Sequence, residues 1–377
     1  MMWRFRSMIW SSLPFRLALA SLLLNLATEA SVVFLPLYAR SLGSSNLEIG
    51  FIAATYGIAF FLSSLLFGRQ SDIHGRLRFI RSGLGLSAVA YLSQIVSRTP
   101  IELLAARGLI GFCLGVVSAA IMAYTYENQK QIGNFVSYGS LGWLLGALAA
   151  AVIRNYEALF LTSAAASLLA FLVSLTFREE PTSRVQVATF PLPLIKAEGK
   201  VYLAFFIRQL GANAIWPILP LYLAGIGASK SWIAILDGIN TAGQFVAMRL
   251  IEKFNPAKIF RIGLLISSLV FAIYGVATNY LQLVPVQILL AIAWSGMFIG
   301  ALNYLLRKSN ERGTVSGVLY STIYFSAGLG PFLGGAVAQV WGFVTLMYVG
   351  SSLSFLGFLS SKGLANGKEI RVTEPHT

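Results

Sequence analysis

The sequence is poor in charge, in cysteine and in histidine. Only 11% of its 377 residues are charged, against about 25% in soluble globular proteins, and its mean hydropathy is +0.73. So few charges do not suffice for a surface that faces water, which excludes an ordinary soluble fold. The single cysteine, Cys113, excludes a disulfide framework, and the two histidines, His74 and His376, exclude a His-rich zinc centre. We expect neither a metal site nor a cofactor.

Motifs for soluble catalysis are also missing. The chain has no phosphate loop of the G-x-x-x-x-G-K-[ST] type and no H-E-x-x-H zinc motif. An ATP-driven pump and a metalloprotease are therefore disfavoured, and no paired catalytic groups suggest an enzyme. Any transport would be passive or driven by a gradient.

Long apolar runs are what the sequence has instead, and 56% of its residues are hydrophobic. At about 20 residues for each membrane crossing, the length allows about twelve spans. Apolar runs bounded by charge, glycine and proline predict helices at Phe15–Tyr38, Leu47–Phe67, Leu77–Val96, Ile101–Ala123, Gly133–Ile153, Tyr156–Phe177, Val201–Leu223, Ser231–Leu250, Ile259–Ala277, Leu281–Leu305, Gly313–Val340 and Gly342–Ser361. The eleventh carries Gly328, Gly330 and Pro331, which predict a kink.

The basic residues predict the orientation. The net charge of +14 would suggest nucleic acid in a soluble protein, but 22 of the 28 Lys and Arg residues fall on the side of the termini. The opposite loops hold only Arg40, Arg98, Arg154 and Lys230. Cytoplasmic loops carry this excess, so both termini are expected to be cytoplasmic in a multi-pass protein of the cell membrane. The lipid bilayer, and not nucleic acid, is the expected partner.

The chain contains an internal repeat. Leu35-Pro36-Leu37-Tyr38 ends the first predicted helix, and Leu219-Pro220-Leu221-Tyr222 ends the seventh, 184 residues later. The polar stretch between them predicts an N-terminal bundle at 1–177, a cytoplasmic linker at 178–200 and a C-terminal bundle with a short tail at 201–377. The expected fold is an all-α membrane protein with twelve transmembrane helices, arranged as two pseudo-symmetric six-helix bundles around a central cavity.

The segment from Gly68 to Arg78, after the second helix, resembles the loop motif G-x-x-x-D-x-x-G-R-x-[KR] of the major facilitator superfamily. Arg107-Gly108 in the fourth helix resembles that family's intramembrane Arg-Gly motif. The second copy of the loop motif is degenerate, with Met248 in place of the first glycine. The resemblance implies secondary transport of a small-molecule substrate by alternating access, and we expect a monomer.

The loop motif implies a conformational latch made of Gly68, Asp72, Gly75 and Arg76. Asp72 would contact either nearby basic residues or the N-terminal end of the helix that begins at Gly313. Such a latch forms in the outward-open state and breaks in the inward-open state. The alternative is a solvated, positively charged loop.

Glu29 is the first candidate for proton coupling. It lies about 13 Å from the far end of the first helix, and Arg107 lies about 9 Å from the same end, so an ion pair between them is predicted. Because an intramembrane carboxylate is costly, it is usually paired or functional. The alternatives are a permanent structural ion pair, a substrate contact and an ion site.

The resemblance implies that the first, fourth, seventh and tenth helices line the cavity. Arg208 would bind an anionic group of a substrate or extend to the cytoplasmic surface. Asp237 and Asn240 form a polar stripe that faces either the cavity or a neighbouring helix. The candidate cavity residues are Asn25, Arg208, Gln209, Asn213, Asp237, Asn240, Trp294 and Tyr324.

Efflux of amphipathic compounds is the favoured function, because the cavity helices are so apolar. Proton antiporters of the resembled family carry a Gly-Pro motif in the fifth helix, but here Trp143 follows Gly142, which weakens that assignment. The alternatives are import of a sugar, an organic acid or another nutrient, and a protein of the same fold that senses or handles lipid without transport.

Overall fold

A computed structural model describes residues 12–129, 133–178, 192–251, 253–308 and 312–364 of the chain, and this described part is helical with no strand. The N-bundle contains the first span (Leu13–Val32 and Leu35–Ser41), the second (Asn46–His74), the third (Arg76–Val96), the fourth (Pro100–Gln129), the fifth (Gly133–Ile153) and the sixth (Tyr156–Ser174). A short helix, Leu192–Ala197, precedes the C-bundle. The C-bundle contains the seventh span (Gly199–Ile215 and Leu219–Gly225), the eighth (Lys230–Ile251), the ninth (Pro256–Val276), the tenth (Tyr280–Gln282 and Leu283–Lys308), and the eleventh and twelfth, which divide Arg312–Ser360 at Gly342.

Eight helices in the described ranges are long and apolar enough to cross a membrane. The eleventh and twelfth spans count together as one of these eight, because only the single residue Gly342 separates the two helices. The fifth span has a shorter apolar stretch, Ser137–Ile153. The layout of twelve spans in two bundles agrees with the predicted fold.

The first and seventh spans are each interrupted, which the sequence prediction missed. The first helix ends at Val32 and a second one starts at Leu35, while Gly199–Ile215 gives way to Leu219–Gly225. Pro36 and Pro220 occupy the first turn of the second helix in each case. A proline lacks the N–H for a bond to the preceding turn and fits best in the first turn of a helix, so these prolines favour a restart of the helix there.

The helix is not broken at Gly328, Gly330 and Pro331, where the sequence predicts a kink. The backbone keeps helical dihedral angles through Pro331, and the break lies at Gly342, where φ is 84°. The glycines serve close packing instead. A Cβ on Gly334 would lie 1.9 Å from the carbonyl oxygen of Ala214, so the eleventh and seventh spans meet backbone to backbone.

The internal repeat is also a repeat of contacts. The Tyr38 hydroxyl donates a hydrogen bond to the carbonyl of Ser97 at the end of the third span, at 2.6 Å. Tyr222, its counterpart, donates to the carbonyl of Ala277 at the end of the ninth span, at 3.1 Å. In each bundle the repeated tyrosine therefore fixes the broken helix to the end of the third helix of that bundle.

Small residues set the spacing within the N-bundle. A Cβ on Gly111 would lie 2.3 Å from the carbonyl oxygen of Tyr56, and one on Gly142 would lie 2.2 Å from that of Leu22. These glycines allow the fourth span to approach the second, and the fifth to approach the first.

The two ends of the molecule differ in how the bundles meet. We call the end that carries residues 13 and 360 the terminal end, and the opposite end the distal end. One buried apolar cluster at the distal end draws on both bundles, and includes Phe34, Leu159, Ile218 and Phe271. Toward the terminal end, the buried residues form one cluster in each bundle instead. The bundles are joined at the distal end and have separate cores at the terminal end.

Hydrogen bonds reinforce the distal junction. Asn46 in the second span donates to the Gln339 side chain and to the Ala338 carbonyl of the eleventh, both at 3.1 Å. On the other side, Ser231 of the eighth span donates to the carbonyl of Ala151 in the fifth, at 2.9 Å. The bundles thus meet along two seams, one between the second and eleventh spans and one between the fifth and eighth.

We expect Tyr38→Phe and Tyr222→Phe each to lower the melting temperature of the purified protein by roughly 1–3 °C. Each change leaves a buried carbonyl without its donor, at a cost of about 1–2 kcal/mol. Tyr138→Phe is the control, because that side chain is exposed. Equal melting temperatures for all four proteins would contradict the anchoring role.

Candidate functional site

Glu29 is sealed inside the distal half of the molecule. It has an exposed fraction of 2% and lies on the first span where that span crosses the fifth. A Cβ on Gly146 would lie 2.7 Å from the Cβ of Glu29, so only glycine allows the first span to approach this closely. Asn25, one helical turn earlier, accepts a hydrogen bond from the Trp143 indole at 2.7 Å on the same fifth span.

The partner of Glu29 is Asp237 of the eighth span. The two carboxyl groups lie within hydrogen-bonding reach of each other, across the seam between the bundles. Asp237 is partly buried, and its Oδ2 atom receives no hydrogen bond from a hydroxyl, an amide or a backbone N–H in the described ranges. The contact therefore brings together two acids from different bundles.

The predicted ion pair between Glu29 and Arg107 is wrong. Arg107 is buried, donates to the Ser31 hydroxyl at 3.1 Å, and lies over the Tyr56 ring with its central carbon 4.4 Å from the ring centroid. Ser31 follows Glu29 by two residues, which places it about 200° around the helix. The fourth span therefore meets the face of the first span that points away from Glu29.

Arg208 neither extends to the surface nor faces an opening in this structure. With an exposed fraction of 1%, it donates to the Ser267 hydroxyl at 3.1 Å and to the side chain of Gln209. Its guanidinium carbon lies 5.5 Å from the ring centroids of both Phe271 and Trp294. Its cationic group is held by a hydroxyl, an amide and aromatic faces inside the C-bundle.

The remaining candidate cavity residues fall into two groups. Gln209 and Asn240 are buried. Asn240 donates a hydrogen bond to the Gln287 carbonyl of the tenth span at 3.1 Å, so at this residue the polar stripe of the eighth span faces a neighbouring helix. Asn213 is partly exposed and donates to the Ser326 hydroxyl at 2.9 Å. Trp294 and Tyr324 are also partly exposed, and Tyr324 stacks on Phe60 of the other bundle at 4.2 Å between centroids.

Glu29 and Asn213 occupy equivalent places in the repeat, 184 residues apart. A Cβ on Gly330 would lie 2.6 Å from the Cβ of Asn213, just as one on Gly146 would lie 2.7 Å from that of Glu29. The glycine contact is therefore present in both bundles, while the carboxyl group is present in one.

The loop motif lies at the terminal end of the second span. Gly75 has a φ of 94°, which explains the glycine at this turn, and the Gly68 carbonyl accepts a hydrogen bond from Ser71 at 2.7 Å. Arg76 forms an ion pair with Glu127 of the fourth span, with 2.8 Å between Nη2 and Oε1. The side chains of Asp72 and of residues 313 and 314 lie outside the described residues.

We expect Arg208→Ala to lower the melting temperature by several degrees, because it leaves a cavity and removes the donor from Ser267 and Gln209, at a cost of about 3 kcal/mol. Arg208→Met keeps most of the packed volume and should cost less, about 1 kcal/mol. Thermal unfolding in detergent measures both, with the exposed Arg178→Ala as the control. If the alanine and methionine variants had the same melting temperature, the packed volume of the Arg208 side chain would not contribute to stability.

Comparison with known proteins agrees with this architecture. The profile of the Major Facilitator Superfamily matches residues 17–199 and 201–366. The multidrug resistance protein MdtG of Proteus mirabilis is 26% identical over 368 residues, which cover 87% of this chain and 89% of that protein. MdtG of Citrobacter koseri is 27% identical over 344 residues, covering 82% and 84%.

Solved structures give the same fold. The nucleoside transporter NupG superposes with a TM-score of 0.75 at 16% identity, over 93% of this chain and 98% of that one. The human organic anion transporter MFSD10 superposes with a TM-score of 0.72 at 18% identity, over 93% and 100%. With a family profile that matches nearly its whole length, the chain belongs to the Major Facilitator Superfamily, whose members are membrane transporters.

Proposed function

We propose that this protein exports small amphipathic organic solutes in exchange for protons, with Glu29 as the proton-carrying group. The observation that carries the proposal is the position of Glu29, which is an acid sealed at the junction of the two bundles. An ionisable group at that depth in a membrane protein is costly and is commonly retained for function. Arg107, predicted to share this role, contacts Ser31 and Tyr56 and serves in our proposal to hold the fourth span.

The way in which the two bundles meet supports this proposal, because it suits alternating access. The bundles are joined at the distal end and have separate cores at the terminal end. If both termini are cytoplasmic, as the basic residues predict, this arrangement is the inward-facing state of a transporter in the cell membrane. A rocking motion of the bundles about the seams would then produce the outward-facing state.

The substrate site we propose lies between the bundles, at Asn25, Asn213, Trp294 and Tyr324. These side chains are partly exposed and combine amide groups with aromatic surface, which suits an amphipathic solute. Arg208, Gln209 and Asn240 are packed inside the C-bundle and are left out of this site.

Export is favoured over import because the relatives at 26% and 27% identity are named multidrug resistance proteins. Import of a nutrient is the alternative, since a gradient of protons can drive either direction. We also propose that the protein works as a monomer, with each chain enclosing its own pathway.

The loop motif remains our proposed latch, which would form in the outward-open state through Asp72. In the present arrangement Arg76 forms an ion pair with Glu127 of its own bundle.

Glu29→Gln should abolish proton coupling. In proteoliposomes with an imposed pH gradient, we expect gradient-driven flux of a lipophilic test compound to fall at least about tenfold, because the amide carries no exchangeable charge. Glu157→Gln is the matched control, since Glu157 is an exposed acid of the sixth span. Full gradient-driven flux in Glu29→Gln would rule out the proposed role.

A thermal-shift screen should identify the substrate class. A ligand at about a hundred times its dissociation constant stabilises the folded state by about 2.7 kcal/mol. We expect a shift from amphipathic compounds and none from sugars or amino acids, and we expect Asn213→Ala to weaken it. A shift caused by sugars alone would favour the import alternative.

A further inference from the structure

We propose that Glu29 and Asp237 share one proton, and that this shared proton holds the distal ends of the two bundles together. The inference rests on the proposed function and extends it. It makes Asp237 an equal member of the proton site instead of a contact for substrate.

The contact itself requires a proton. Glu29 and Asp237 meet as hydrogen-bonding partners, and a carboxylate can only accept a hydrogen bond. One of the two groups must therefore be protonated while they remain in contact. No hydroxyl, amide or backbone N–H in the described chain donates to the buried Oδ2 of Asp237, so the proton between the acids has no substitute there.

The surroundings offer no counter-charge to two carboxylates. The described part of the fifth span, against which Glu29 packs, contains no Asp, Glu, Lys, Arg or His. The sixth span presents Glu157 at its distal end, where Arg98 lies 3.9 Å away. On the ninth span, the titratable neighbour of Asp237 is the buried Tyr274. Charged residues of the eighth span, Lys230 and Arg249, lie in its first and last turns.

The charged residues of the other nearby spans face elsewhere. Arg107 is directed to Ser31 and Tyr56, and Arg208 is directed to Ser267 and Gln209. No basic side chain in the described ranges lies within 4 Å of either acid. Two ionised carboxylates in this contact would repel each other without compensation.

The two seams between the bundles differ in tightness. On one, a Cβ on Gly50 would lie 2.4 Å from the Pro331 carbonyl oxygen, so the second and eleventh spans meet at backbone distance. On the other, a Cβ on Gly238 would lie 3.7 Å from Leu144, which is ordinary contact. The acid pair thus belongs to the looser seam, where repulsion separates the bundles most easily.

The cycle follows from this placement. When the shared proton passes to water, two carboxylates remain in contact, and their repulsion separates the fifth and eighth spans at the distal end. When a proton returns from the distal side, the hydrogen bond forms again and the distal end closes. One proton is bound and one released in each cycle, and no other bond changes.

The distance between the distal ends tests the proposal without any substrate. Ile101 and Leu281, which are exposed side chains at the distal ends of the two bundles, are changed to cysteine and spin-labelled in a Cys113→Ser background. We expect a short distance in mildly acidic buffer. In alkaline buffer we expect a second, longer distance to appear. The population of molecules with the longer distance, relative to the population with the short distance, should rise about tenfold.

The variants Glu29→Gln and Asp237→Asn should each keep the short distance in both buffers. An amide does not ionise, so each variant retains only one carboxyl group and the repulsion between two carboxylates cannot arise. The distance in the control variant Glu157→Gln should respond to pH as it does in the labelled protein with both acids intact. A full pH response in Asp237→Asn, or in Glu29→Gln, would overturn the shared proton. If the labelled protein with both acids intact showed the same distance in both buffers, the proposed pH-dependent gate, which is the opening and closing of the distal end by the shared proton, would be overturned.

Transport measurements separate this inference from the proposed function. Gradient-driven flux that survives in Asp237→Asn but not in Glu29→Gln would overturn the shared proton and leave the function standing. If the labelled protein showed the pH response without gradient-driven flux of any tested compound, the proposed function would fail and the gate would stand.

Discussion

Hydrocarbon offers no hydrogen-bond partner, and this constraint explains most of what the spans do. Backbone groups are satisfied within helices, so polar side chains must find partners on neighbouring spans or be held against aromatic faces. Where a glycine removes the Cβ, as Gly146 does beneath Glu29, two helices approach especially closely. The acid pair depends on that approach, and so does the equivalent contact of Asn213 with Gly330.

The repeat preserves the scaffold and varies the chemistry. Tyr38 and Tyr222 make the same anchor in the two bundles, and both broken helices pack on a glycine at the same register. At that register one bundle carries a carboxyl group and the other an amide. An amide can hold a neighbour such as Ser326 but does not bind and release a proton, so at this register only the N-bundle can carry one.

Much of the fold could be predicted from the sequence, because membrane spans are long and apolar and their loops are short. The breaks in the first and seventh spans were missed although Pro36 and Pro220 signal them, because apolar residues continue on both sides. The partner of Glu29 was missed for a different reason. By depth alone, Arg107 and Asp237 are equally suitable partners for Glu29, since each lies about seven residues from the distal start of its span. Which of them meets Glu29 depends on the angle around the helix, and the packing of the fifth and eighth spans sets it.

Arg208 shows the limit of reading a charge by its depth. Its distance from the helix end is compatible with a cavity or with the surface, yet it is enclosed by Ser267, Gln209, Phe271 and Trp294. Only the neighbouring spans decide such a case, because a long side chain can point in several directions from the same backbone position.

The depth of the acid pair also has an electrical consequence. Glu29 lies twelve residues before Ser41, the distal end of its span, which is a depth of about 18 Å in a hydrocarbon layer of about 30 Å. A proton that reaches the pair from the distal side therefore crosses roughly three fifths of the membrane's electric field. At about 2.3 kcal/mol per charge for 100 mV, the membrane potential contributes about 1.4 kcal/mol to filling this site. Voltage would then act on the closing of the distal end directly, independently of the proton concentration on either side.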